Sequence, residues 1–265
     1  MSGGFPKPRT GDYTNVTEVP GLRATREQIS MLYTRYRMAA MFCEGKDVLE
    51  VACGAGLGLG YLAQKARRVV GGDYTERLLR LAQRHYGSRI PLIRLDAHDL
   101  PFKNEVFDVV LLYEAIYYLQ DPEKFFLESR RVLRPGGYLL LSTVNREWAG
   151  FIPSPYSVNY LTAGELYKLL ARCGFSAELF AGFPVTMGSV RDRVISWMRH
   201  VAALLDLMPR TLKGRAVLKR LFFGRLVAVP PEVTDEMTDF NVLVPIDYNS
   251  SIPNFKIIYA FGQRM

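Results

Sequence analysis

The residues of this chain best suited to chemistry are two glycines and a set of carboxylates at fixed intervals. Gly54 and Gly56 interrupt the apolar run VLEVACGAGLG that begins at Val48, and Asp73 follows Gly54 by nineteen positions. An apolar strand that breaks into a glycine-rich loop and a helix, with an acidic side chain after the next strand, is how an α/β protein holds an adenosine-bearing cofactor. A dinucleotide fingerprint wants glycine at its first and third positions and Gly or Ala at the sixth. Counted from Gly54, the sixth position is Leu59. The shifted set Gly58, Gly60 and Ala63 falls inside the following helix, where it cannot make the turn. The loop thus needs close backbone approach to a ligand without a pyrophosphate cradle at a helix N-terminus. S-adenosylmethionine, with an adenosine and a sulfonium but no phosphate, meets that description.

The elements that must position these residues follow from periodicity. Apolar side chains at Ile29, Leu32, Tyr33, Tyr36, Met38, Ala39 and Phe42 predict a helix over residues 25–42. Strands are expected at 47–51, 69–73, 91–95, 107–113 and 138–143. Helices are expected at 57–65, at 76–86 behind Thr75, and from Asp121-Pro122-Glu123 to about residue 133. This alternation implies an α/β fold with a parallel sheet covered on both faces. Beyond Asn145 the rhythm changes to a loop, 146–160, suited to the C-terminal edge of the sheet. A helix from Thr162 to Arg172, a strand at 176–180 and a last strand at 255–261 complete the reading. The stretch between these last two strands is too long for an ordinary connection. Within it Val194, Trp197, Met198, Val201, Leu204, Leu205 and Met208 form a broad helical stripe. The expected organisation is an N-terminal segment and covering helix at 1–45, a cofactor domain at 46–182 and 253–265, and a mostly helical cap at 183–252.

With 265 residues, 49% of them apolar, the chain is long enough for one full core and an appended subdomain. Residues 1–17 are polar, and no run approaches the length of a membrane span, so neither a secretory signal nor a transmembrane segment is expected. Cys43, Cys53 and Cys173 form no CxxC pair, which suits a reducing, cytoplasmic setting. No His/Cys/Asp cluster has metal-ligand spacing. Much of the net charge of +8 comes from segment 191–225, where nine basic side chains face only Asp192 and Asp206. Such a segment is either a solvated helix face or an attractor of nucleic acid, anionic lipid or an acidic substrate.

Five segments in order, each at the end of an expected strand, give the chain a family resemblance. They are VLEVACGAGLG, GGDYT, LDAHDLPF, FDVVLLYEAIYYL and LRPGGYLLLSTV, and the resemblance covers roughly residues 47–180. Together they resemble class I S-adenosylmethionine-dependent methyltransferases, more narrowly the small-molecule group (type 11) that includes quinone-precursor methyltransferases. The resemblance implies a doubly wound seven-stranded sheet of order 3-2-1-4-5-7-6, with the seventh strand antiparallel and a cap inserted between strands six and seven. It implies that Glu50, Ala52, Gly54 and Gly56 line the methionine part of the cofactor and that Asp73 accepts hydrogen bonds from both ribose hydroxyls. Tyr74 and Leu78 would lie near the adenine, Asp96 would receive its amino group, and the Ala97 or His98 backbone would donate to it. Tyr113 and Glu114 would lie under the sulfonium. Tyr33 or Tyr36 would cover the cofactor from the N-terminal helix, unless both are core aromatics.

Methyl transfer from a sulfonium is an in-line displacement that requires positioning above all. A base is needed only for an acceptor that must lose a proton. Where related enzymes often carry histidine this chain has Tyr117-Tyr118, so Glu114, Tyr117, Tyr118 and His98 are the local candidates. Glu114 could equally pair with an arginine. No Asn-Pro-Pro-Tyr or Asp-Pro-Pro-Tyr motif follows the fourth strand, which argues against amino-group methylation of nucleic-acid bases. The expected function is methylation of a small-molecule or lipid-like acceptor. Two alternatives stand beside it: an RNA or protein methyltransferase docking through 191–225, and a non-catalytic cofactor-binding regulator.

Overall fold

The computed structural model describes residues 12–185 and 226–265. Its centre is an eight-stranded sheet built from β2 (Asp47–Val51), β3 (Arg68–Asp73), β4 (Leu92–Arg94), β5 (Phe107–Tyr113), β6 (Leu133–Val144), β7 (Phe175–Pro184), β9 (Val244–Pro245) and β10 (Phe255–Arg264). The order is β4-β3-β2-β5-β6-β10-β7-β9. Strands β2 to β6 are parallel, and β10 runs antiparallel between β6 and β7. The seven expected strands therefore stand in the expected order. The eighth, the two-residue β9, pairs with the otherwise free edge of β7. A separate two-stranded ribbon joins β1 (Arg23–Ala24) to β8 (Val227–Ala228).

Helices cover both faces: α1 (Arg26–Cys43), α2 (Leu59–Ala63), α3 (Glu76–Tyr86), α4 (Pro122–Val132) and α5 (Ala163–Arg172). Thr25 starts α1 with a capping box to Gln28, and Thr162 does the same for α5 with Glu165. Asp121 caps α4 ahead of Pro122. The sheet sorts its side chains by strand period. Leu49, Val51, Val110, Leu112, Leu139 and Leu141 share one core with Phe125, Phe126, Leu166 and Leu170, while Val48, Val109, Leu111 and Leu140 share the other with Leu32, Tyr33 and Tyr36. A residue on the second face of β2 thus looks toward α1.

Several boundaries differ from expectation for local reasons. Helix α2 is shorter than residues 57–65 because Gly56 and Gly58 still shape the turn, with the Leu59 N–H donating to Gly56 O at 3.1 Å. Strand β6 starts five residues early: Leu133 already pairs with Phe107, and the register then jumps to Tyr138 opposite Val109. Strand β7 runs to Pro184, two residues into the expected cap, because β10 pairs along its whole length. The described remainder of that insertion, 226–252, is irregular rather than helical, with turns between β8 and β9, its only regular elements. The stripe expected at 194–208 and the basic segment 191–225 lie outside the described residues. No helix among the described residues is long and apolar enough to cross a membrane.

Candidate active site

The carboxyl end of the parallel strands gathers the residues singled out by spacing. At the tip of β2 the chain turns through left-handed backbone at Ala52 (φ 58°), Gly54 (φ 59°) and Gly56 (φ 79°). Alanine there is strained, and such strain concentrates at binding sites. A side chain on Gly54 would bring its Cβ within 2.9 Å of Thr17 Cγ2, so glycine here leaves room for Thr17 as well as freedom to turn. Asp73, at the end of β3, closes the loop. Its Oδ2 accepts the Gly54 N–H at 2.8 Å and its Oδ1 accepts the Thr75 N–H at 2.7 Å. Burial pushes its carboxyl up, and these same N–H groups hold it down.

Glu50 and Tyr36 meet behind the loop. Glu50 lies on the α1 face of β2, and the Tyr36 hydroxyl donates to its Oε1 at 2.5 Å. Burial pushes the Glu50 carboxyl up to about 7, opposed by the Tyr36 hydrogen bond and the Arg35 charge. Arg35 is the neighbour that the sequence did not flag. Its Nη2 contacts Glu18 Oε2 at 2.6 Å, and its side chain is only 11% exposed. Glu50 Oε2, Arg35 Nε and the Tyr113 hydroxyl are all buried without a hydrogen-bond partner among the described residues. Tyr113 stands edge-on to Tyr36 with ring centroids 5.7 Å apart. A buried cation, a buried anion and a phenol, each with spare capacity, fit the zwitterionic end of an amino acid.

Glu114 directly follows strand β5, again in the left-handed region (φ 52°). Its Oε1 accepts from the Ser142 hydroxyl at 3.1 Å and its Oε2 from Tyr117 at 3.4 Å. Burial raises its carboxyl above the ordinary range, against the pull of Arg35. Tyr117 stacks on Tyr160 at 4.5 Å, and Tyr118 shares a 2.5 Å hydrogen bond with Ser154. Loop 146–160 is thereby tied to this corner, with the Val158 N–H donating to Tyr117 O at 2.7 Å.

Not every expected residue joins the group. The Tyr33 hydroxyl accepts the Glu236 N–H at 3.2 Å, and its ring packs on Tyr61 in the α1 core. His98 has both ring nitrogens engaged: Nδ1 meets Asp96 Oδ1 at 2.7 Å, and Nε2 accepts the Asp121 N–H at 3.3 Å. That pattern puts the ring proton on Nδ1 and leaves no free lone pair for a base. Asp96 itself is exposed, and although burial raises its carboxyl, the His98 backbone and ring bring it below the usual range. Ala97 and Leu78 are buried, and Tyr74 is exposed with the Arg94 guanidinium 5.8 Å from its ring. Residues 12–18 were missed by periodicity. They lie across the site with the Tyr13 N–H on Thr75 Oγ1 at 3.2 Å.

A doubly wound sheet with a strained glycine loop, an acidic β3 end and an antiparallel last strand defines a Rossmann-like cofactor-binding protein. The methyltransferase-domain family model matches residues 49–141. A phthiotriol/phenolphthiotriol dimycocerosates methyltransferase of Mycobacterium ulcerans is 33% identical over 211 residues, covering 76% of this chain and 71% of that protein. A probable S-adenosylmethionine-dependent methyltransferase of Mycolicibacterium smegmatis is 36% identical over 177 residues, 64% of this chain and 66% of that protein. The chain belongs to the S-adenosylmethionine-dependent methyltransferase family. It spans between about half and two thirds of the length of the first curated relatives it matches. The fold is shared with a crystal structure of an S-adenosylmethionine-dependent methyltransferase from Thermotoga maritima, with a TM-score of 0.57 at 16% identity over 91% of this chain and 94% of that one.

Proposed function

We propose that this protein moves a methyl group from S-adenosylmethionine to a small-molecule or lipid-like acceptor, in the cytoplasm. The observation that carries the reading is the glycine loop closed onto Asp73, together with three buried polar atoms, on Glu50, Arg35 and Tyr113, that have no hydrogen-bond partner among the described residues. When bound, the cofactor supplies a methyl group made electrophilic by its sulfonium. Arg35 and Glu50 would hold its carboxylate and ammonium, with Ala52, Gly54 and Gly56 providing the close backbone. Asp73 would take the ribose hydroxyls with the lone pairs its loop bonds leave. Tyr74, Leu78, Asp96 and the Ala97 and His98 backbone would enclose the adenine.

Tyr113 and Glu114 would face the transfer site. A buried carboxylate with a raised affinity for protons can accept one from a hydroxyl acceptor as its oxygen attacks the methyl carbon. Tyr117 and Ser142 hold Glu114 in place, and Tyr118, Tyr156 and Tyr160 offer an apolar wall. The lipid-like acceptor is favoured by the relative from M. ulcerans and by this tyrosine-rich corner.

Isothermal titration with S-adenosylmethionine tests the donor. One site is expected, and Asp73→Ala should weaken binding by roughly 10- to 150-fold, the loss of charge-assisted hydrogen bonds. Heat that is absent at high micromolar ligand would remove the reading. Labelled cofactor incubated with separate lipid, metabolite and RNA fractions then tests the acceptor. Label in the lipid or metabolite fraction supports the proposal, and label in RNA would replace it with docking through 191–225.

A further inference from the structure

Residues 12–18 have no regular secondary structure, yet they touch both halves of the site. On the cofactor side, the Tyr13 N–H bonds Thr75, the residue that also donates its N–H to Asp73. Thr17 lies over Gly54, its Cγ2 occupying the space a Cβ there would need. On the acceptor side, the Tyr13 ring is tilted against Tyr118 at 5.2 Å and edge-on to Tyr156 at 6.4 Å. The segment is folded on itself: the Val16 N–H and the Thr17 hydroxyl both donate to Tyr13 O, at 3.0 and 2.9 Å. One ion pair fastens its end, Glu18 Oε2 to the buried Arg35 at 2.6 Å. Removing one partner of a pair with a buried guanidinium costs more than losing a surface pair.

We infer that residues 12–18 are a strap shared by the two substrates. It seals the cofactor, is latched by Glu18 on Arg35, and supplies through Tyr13 one wall of the acceptor chamber. This rests on the cofactor placement proposed above. A segment outside the helices and the sheet opens far more often than the sheet beneath it. Cofactor must pass while the strap is open, and the acceptor chamber is complete only once it has shut. Cofactor therefore binds first and its demethylated product leaves last. Tyr13 acts here as a positioning residue through its ring, since the contacts to Tyr118 and Tyr156 need no hydroxyl.

The test follows release of labelled S-adenosylhomocysteine, chased with unlabelled ligand, from wild type, Glu18→Gln, Tyr13→Ala and Tyr13→Phe. Amide exchange over residues 12–22 and thermal melting accompany it. Release should quicken about tenfold in Glu18→Gln and Tyr13→Ala, as expected for losing one charge-assisted or ring contact, and stay within about twofold in Tyr13→Phe. Exchange at 12–22 should be faster in Glu18→Gln even without ligand, and ligand should slow it in wild type, while melting separates this local opening from any global loss of stability left by the unpaired Arg35. Wild-type release rates in both Glu18→Gln and Tyr13→Ala would overturn the strap while leaving the cofactor reading intact. Failure of wild type to bind S-adenosylhomocysteine would remove the cofactor reading, and the sealing role with it.

Discussion

Glu50 occupies a position on β2 where the strand period calls for an apolar side chain, and it stays there with a carboxyl held at about 7. That value has a direct consequence for stability. The folded-state affinity for protons exceeds that of the exposed, unfolded carboxyl, so Glu50 contributes stability that is fully present below about pH 4.5 and is lost as pH rises through about 7. The stability difference between wild type and Glu50→Gln, measured by urea unfolding, should therefore shift in favour of the variant across that window. Placing an ammonium group beside Glu50 would favour its ionised form. Binding of S-adenosylmethionine near pH 6.5 should thus release protons, seen as heats that depend on the ionisation enthalpy of the buffer. Glu50→Gln should abolish most of that dependence.

At the scale of elements, the close approach of α1 to the loop depends on Gly58. Its backbone at the start of α2, φ −102° and ψ −12°, lies in a right-handed region open to other residues, so glycine is not required by conformation. Space requires it: a Cβ would lie 1.9 Å from the Tyr36 ring. Gly58→Ala should displace Tyr36 from Glu50 and destabilise the protein by about 1–3 kcal/mol, the usual cost of overpacking, as read by chemical denaturation. The glycine loop, Asp73 and the end of β5 were legible in the sequence because their signals are local: a glycine at a turn, a carboxylate after an apolar run. Arg35 was not, since on a helix wheel it is one more charged residue, and only the packing of α1 on β2 brings it to Glu50 and Glu114. Residues 12–18 were illegible for the same reason, since a short, mostly polar stretch with two Thr gains its role from the surface it crosses. His98 was legible as a titratable group near Asp96, but the Asp121 N–H that occupies its second nitrogen comes from another element.

For the whole molecule, ligand and fold are coupled through the sheet edge that holds the site. A ligand at 100 times its Kd adds about 2.7 kcal/mol to the stability of the folded state. For a chain of this size that should raise the melting temperature by about 5–10 °C. S-adenosylhomocysteine should produce that shift by scanning fluorimetry, and dinucleotides, which the glycine spacing disfavours, should not. The central position of β10 bears on how the protein is made. Strands β6 and β7 are both synthesised by the time the ribosome has passed Pro184, yet the strand that must lie between them begins only at Phe255. Until then the edges of β6 and β7 that will receive β10 both lack their hydrogen-bonding partner. A nascent chain stalled in that interval is therefore a template for pairing with its neighbours on the same message. Synthesis of β10 is what ends this exposure.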